Sequence, residues 1–276
     1  MKALVTVLLA SLAMMACTAP TKKSEDATDK KVLVLYYSQT GATKTVAEYI
    51  QQKLGADIAE VQAKEAYPED FQQTVARGMK EMQEGVNPEL LPLDVNPADY
   101  DVIFLGYPIW FGTYALPVKT LLQNIDLSGK EVVVFSTFGS GGLNESIAEL
   151  QKEVPGINII GKLGVRNALL DRVPAEADRL LIALGMMEGE NETLADYSEQ
   201  QPVTEADTAI FNAAVGDYPM LSATPVTVGS RTTSTSIDYL FTAENAGQDG
   251  QKSTIKVYVT KGKAEGDQPV FTLVDR

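Results

Sequence analysis

The chain contains no histidine and one cysteine, Cys17. Those two shortages exclude Ser-His-Asp and Cys-His nucleophilic sites and zinc held by His or Cys. A lone cysteine also allows no internal disulfide. Basic residues are scarce: 23 Lys and Arg stand against 37 Asp and Glu, a formal net charge of −14. Nucleic-acid binding needs a basic footprint, so nucleic acid is excluded as a partner. Neither G-x-x-x-x-G-K-[ST] nor G-x-G-x-x-G occurs, which removes the triphosphate loop and the dinucleotide fingerprint. Carboxylates are plentiful, but no spacing among them marks a calcium loop or a glycosidase pair. Hard chemistry in such a chain belongs to a bound cofactor.

Residues 1–17 read as a targeting segment. Lys2 supplies a positive start, and 3–15 is almost wholly apolar but too short to span a membrane. The run ends in Met14-Met15-Ala16-Cys17, which resembles a bacterial lipoprotein signal cut before Cys17, the residue that then carries the lipid. Met14 and Met15 depart from the leucine and small residue usual in that box. The alternative is a plain secretory peptide with an incidental cysteine. Either reading exports the protein, and the first anchors it to a membrane of the cell envelope. Residues 18–29 are rich in Thr, Lys, Ser, Glu and Asp and form a solvated tether. No other stretch is apolar enough to cross a bilayer.

The chain is then organised around 31–54. Val32, Leu33, Val34 and Leu35 make the short continuous apolar run of a strand covered on both faces. Val46, Tyr49, Ile50 and Leu54 recur at helical spacing over 45–54. Between them lies Ser38-Gln39-Thr40-Gly41-Ala42-Thr43, a hydroxyl-rich bend that feeds a helix N-terminus. Such a start offers unpaired N–H donors and a positive dipole end to a phosphate. An ordinary helix cap is the competing reading of these six residues.

Strand and helix patterns alternate onward. A strand is expected over 57–61 and a helix over 71–84, with Phe71, Val75, Met79 and Met82 on its core stripe. A proline-rich connection covers 87–97. A strand over 100–106 feeds Tyr107-Pro108-Ile109-Trp110-Phe111-Gly112, where apolar and aromatic side chains crowd a loop that should face water. Trp110, the only tryptophan, could stack on a flat ring. A helix follows over 116–124, then a strand over 131–135 that ends in Ser136-Thr137-Phe138-Gly139-Ser140-Gly141-Gly142. Glycines there let backbone N–H groups approach a planar edge closely. A helix over 144–154, a strand over 157–163 and a helix over 174–184 complete five strand–helix repeats, the signature of an α/β doubly wound parallel sheet.

Three segments, in order, resemble the flavodoxin family. Residues 38–43 match its phosphate loop T/S-x-T-G-x-T, and 106–112 match the G-Y-P-x-W-x-G loop of its Pro-x-Trp branch. Residues 137–142 stand where the family more often reads T-S-G-G-S-G. The resemblance implies a five-stranded parallel sheet of order 2-1-3-4-5 and FMN as cofactor over 31–190. It implies phosphate contacts from Ser38, Gln39, Thr40, Gly41, Ala42 and Thr43. Pro108, Ile109, Trp110, Phe111 and Gly112, with Thr137, Phe138, Gly139, Ser140, Gly141 and Gly142, would frame the flavin ring. The function implied is electron transfer, with a redox protein as partner. The alternatives are an NAD(P)H-dependent reductase of a quinone or other small acceptor, and a non-redox binding or inhibitor module.

Residues 185–201 read as a linker, and the pattern then changes. Thr204-Glu205-Ala206-Asp207 opens a helix through 215, with Ala206, Ile210, Phe211 and Ala214 inward. Strand runs follow at 225–229, 233–243, 253–260 and 269–275, separated by hairpin loops at 245–250 and 261–267. Residues 200–276 therefore predict a small accessory α+β domain, a helix on a four-stranded antiparallel sheet. It resembles the cystatin fold in architecture, without that family's Q-x-V-x-G inhibitory motif.

Overall fold

The computed structural model describes residues 30–216, 218, 221–246 and 251–276. The expected signal, Cys17 and tether over 1–29 and the hairpin tip at 247–250 lie outside the described residues.

The first unit alternates strand and helix: β1 (Val32–Tyr36), α1 (Ala42–Leu54), β2 (Asp57–Glu60), α2 (Phe71–Glu84), β3 (Val102–Trp110), β4 (Thr113–Tyr114), α3 (Leu116–Asn124), β5 (Glu131–Phe138), α4 (Leu143–Glu153), β6 (Asn158–Arg166) and α5 (Val173–Ala183). The sheet order is β2-β1-β3-β5-β6, with β4 on β3. Except for the β3–β4 pair all neighbours run parallel, so the parallel strands alone give the expected 2-1-3-4-5. The continuous apolar runs of the central strands are explained by burial on both faces. Leu33, Leu35, Ile103, Leu105, Val132 and Val134 pack under Val118, Leu121 and Leu150 of α3 and α4. Val34, Val102, Phe104, Val133 and Phe135 pack under Val46, Ile50, Ala177 and Leu181 of α1 and α5. Each fully buried aliphatic of this kind contributes about 1.5–3 kcal/mol relative to exposure.

Two expectations need correction here. The stripe on α2 faces outward: Phe71, Met79 and Met82 are exposed at 70%, 48% and 46%. The inward residues are Thr74 and Gly78, because the Phe111 ring lies against α2 and a Cβ on Gly78 would sit 3.0 Å from it. The third strand also does not end at 106. It runs on to Trp110 and folds back through Phe111-Gly112 as a hairpin.

The second unit comprises β7 (Gln201–Pro202), α6 (Glu205–Val215), β8 (Ala223–Thr232), β9 (Ser236–Ala246), β10 (Lys252–Gly262) and β11 (Val270–Asp275). Its antiparallel sheet has the order β11-β10-β9-β8-β7, one short strand more than expected. α6 starts at a reciprocal capping box between Thr204 and Asp207. Phe211 and Val215 bury against Phe241, Ile255, Val257 and Phe271, whereas Ala206, expected inward, is exposed. β8 is longer than its sequence pattern suggests, since its Pro225 sits at an irregularity in the β8–β9 register.

The contact between β3 and β5 is tight at Gly106, where a Cβ would lie 2.1 Å from the Phe135 ring. Gly106→Ala is expected to destabilise the first unit by about 1–3 kcal/mol or more through overpacking. A thermal melt matching the wild type would contradict that packing.

Candidate cofactor site

In an open parallel sheet the ligand crevice lies beyond the carboxyl ends of the strands, where strand order reverses. Here the reversal falls between β1 and β3, which both neighbour in the sheet. The loop after β1 turns at Gly41, whose φ of +87° suits a residue without Cβ. Ser38 Oγ accepts from the Lys44 N–H at 3.2 Å, capping the first turn of α1 from outside it. Gln39 is held away from the loop centre: its Oε1 accepts from Tyr37 Oη at 2.6 Å and its Nε2 donates to Pro68 O at 2.9 Å. Thr40 is exposed, and its hydroxyl reaches no described partner. The backbone N–H groups of Gln39, Thr40, Gly41, Ala42 and Thr43 likewise donate to no described acceptor. Five successive free donors at a helix N-terminus are the arrangement that suits an anion.

Thr43 also ties two loops together. It is buried, and its Oγ1 lies 2.8 Å from Thr137 Oγ1, which ties the first loop to the end of β5.

The second loop is the β3–β4 hairpin. Phe111 and Gly112 both have positive φ, 53° and 84°, as a two-residue hairpin turn matching strand twist requires. Positive φ is rare for a bulky residue and marks local strain at Phe111. Trp110 is half-buried and wedged between two ring edges, Tyr37 at 5.8 Å and Tyr67 at 4.9 Å between centroids. Tyr67 is itself fixed: its hydroxyl donates to Glu81 on α2. Arg77 pairs with Glu81 at 2.8 Å and lies 4.1 Å over the Tyr67 ring. The indole therefore has a set orientation at the mouth of the crevice. Pro108 and Ile109 are half-buried, while Phe111 and Gly112 are exposed. Thr113 Oγ1 beside the hairpin and Ser136 Oγ on β5 are buried without a hydrogen-bond partner among the described residues.

The third loop meets the second at Gly142, where a Cβ would lie 2.6 Å from Ile109 Cγ2. Phe138 does not face the crevice; its ring is buried against Gly164 and Leu143. Gly139 is exposed, Ser140 half-buried and Gly141 buried. The second unit holds this loop. Ser140 O accepts from the Val274 N–H at 2.8 Å, and Gly141 bridges Val274 so closely that a Cβ would stand 1.9 Å from its carbonyl oxygen. Asn144 donates to both Asp275 oxygens at 2.9 and 3.0 Å. Arg166 donates to Gly139 O at 2.9 Å and Phe271 O at 2.8 Å.

All three predicted segments thus converge at one end of the sheet. A family model described as flavodoxin matches residues 31–172. The chain belongs to the flavodoxin family. Among solved structures it is similar to a flavoprotein from Lactobacillus acidophilus NCFM in complex with FMN, at 30% identity over 54% of this chain and 99% of that one, TM-score 0.44. The apo-form of the flavoprotein from the same organism matches at 29% identity over 49% and 91%, TM-score 0.41. A protein from Bacteroides uniformis ATCC 8492 matches at 29% identity over 54% and 98%, TM-score 0.48.

Sequence reasoning missed the residues that orient the flavodoxin site from behind. Tyr37 directly precedes the first loop, and its position at the end of an apolar run was the available signal. Tyr67, Arg77 and Glu81 carry no local motif, because their relation to Trp110 exists only after α2 docks. The buried tyrosines give a pH test. Burial raises the pKa of Tyr37 and Tyr107, and burial with the Glu81 contact raises that of Tyr67. A raised folded-state pKa leaves stability intact below the unfolded value near 10 and removes it as pH climbs toward the folded value. Stability should fall above about pH 10, with phenolate absorbance at these positions appearing only on unfolding. Full tyrosine ionisation in a still-folded protein would contradict the burial.

Proposed function

We propose that this flavodoxin binds FMN across the three loops and passes electrons to a protein partner at the cell envelope. The observation that carries the reading is the set of five free N–H donors beside the exposed Thr40 hydroxyl, opening next to the oriented Trp110 ring. When bound, FMN supplies reversible electron transfer through its ring system. The loop residues fit the group. The 39–43 amides and the Thr40 hydroxyl hold the phosphate, while Gly41 leaves open space where a Cβ would project. Trp110 covers the ring and excludes water, and the backbone of 139–142, fixed by β11, borders its edge. The net charge of −14 does not defeat phosphate binding. Distant carboxylates are screened over about 8 Å at physiological ionic strength, whereas each contacting charge-assisted bond is worth roughly 1.5–3 kcal/mol.

A carrier needs a docking surface rather than a second substrate pocket. Phe71, Met79 and Met82 on the outer face of α2 are exposed, as is Phe111 packed against Gly78 of that helix. This apolar rim on an acidic protein suits a redox protein with basic surroundings. Reduction by NADPH on a catalytic timescale would replace the carrier reading with the reductase one. The envelope location rests on the lipoprotein-like Met14-Met15-Ala16-Cys17.

Thr40→Ala is expected to weaken FMN by about 1–3 kcal/mol, read from quenching of the sole tryptophan; equal affinity would show the phosphate loop to be misassigned. Cys17→Ser is expected to release the protein from membranes or block its processing. Unaltered membrane fractionation would contradict the anchor.

A further inference from the structure

Between the two units lies a cleft of about 730 Å³, lined by β6 and α5 on one side and by β9 and β10 on the other. That volume is ample for a small organic ligand, and such sites favour the junction of two folded units. Its charge runs against that of the molecule. Lys162, Arg166, Arg172, Arg179 and Arg231 line it against only Glu176 and Asp238, in a chain of net charge −14.

The two carboxylates are taken. Asp238 pairs with Arg231 at 3.1 Å, and Glu176 with Arg179 at 2.9 Å. The other three cations have no carboxylate. Lys162 donates to the amide oxygen of Asn144 at 2.6 Å. Arg166, only 9% exposed, donates to two backbone carbonyls and lies 3.4 Å over the Phe271 ring. The Arg172 side chain reaches no described partner. Lys162 is exposed and Arg172 half-buried, so only Arg166 is a buried charge. A buried charge is ordinarily paired with an opposite one; at Arg166 neutral oxygens and rings stand in for it, and burial lowers its pKa. Leucine and valine side chains from β6 and α5, with Tyr197 and Tyr258, supply apolar walls.

We propose that this cleft is a binding site for a small organic anion, a carboxylate, sulfonate or phosphate on an apolar body, received by Lys162, Arg166 and Arg172. The site is separate from the 38–43 cradle. Arg166 also donates to Gly139 O, so a ligand here touches a residue that holds the third loop.

The test is isothermal titration of the full chain with 8-anilinonaphthalene-1-sulfonate, a singly charged aromatic. Saturable one-to-one binding is expected, weakened about tenfold by Arg172→Glu, which removes one charge-assisted contact and opposes the anion. Arg172 is partly exposed and unpaired among the described residues, so its replacement leaves the fold intact. Lys80→Glu on the distant surface of α2 is the charge-matched comparison and should leave the affinity unchanged. The uncharged N-phenyl-1-naphthylamine should bind far more weakly. Equal affinity in Arg172→Glu, equal binding of the uncharged analogue, or no saturable binding would each overturn the proposal. None of these readouts depends on FMN.

Discussion

The arrangement depends on one buried contact, the hydrogen bond between Thr43 and Thr137 at 2.8 Å. It joins the start of α1 to the end of β5, two segments far apart in sequence that flank β3 in the crevice. One O–H of the pair donates to the other hydroxyl and the second stays available, beside the free loop amides and the exposed Thr40 hydroxyl. Burial ties the Thr43–Thr137 pair together, whereas Thr113 Oγ1 and Ser136 Oγ beside the crevice are buried without a partner among the described residues. The same bond fixes the distance between the phosphate cradle and the third loop.

The aromatic side of the crevice is built by a second chain of dependence. Glu81 and Arg77 on α2 hold Tyr67, which with Tyr37 holds Trp110. Gly78 lets Phe111 lie against the same helix. The helix therefore spends its inward face on the hairpin and turns its apolar stripe outward. The exposed methionines and Phe71 are a consequence of this demand, and they place an apolar surface next to the proposed flavin site. The second unit acts on the third loop in a comparable way, through the Gly141–Val274 bridge and the Asn144–Asp275 bonds.

Much of this is legible in the sequence. The parallel sheet followed from apolar runs such as 32–35 and 102–105 alternating with helical spacing, because strands buried on both faces leave that pattern; its order came from the resemblance to the flavodoxins. The three loop segments were located by their residue types. What was not legible involved the other partner of each contact. Nothing local says that the Thr43 hydroxyl pairs with Thr137. The α2 stripe read as core, since periodicity reports that a face is apolar and not where it points. Phe138 read as part of the ring frame, although Leu143 and Gly164 claim its side chain. The clamp by β11 and the cationic cleft need two separately folded units in contact, which no single stretch encodes.

The central claim is that the three loops hold FMN. The most direct measurement is a visible absorption spectrum of the purified full-length protein, before and after added FMN and removal of free cofactor. The account predicts retained flavin absorbance with protein-shifted bands. A protein that stays colourless after FMN addition, while its thermal melt shows it folded, would contradict it.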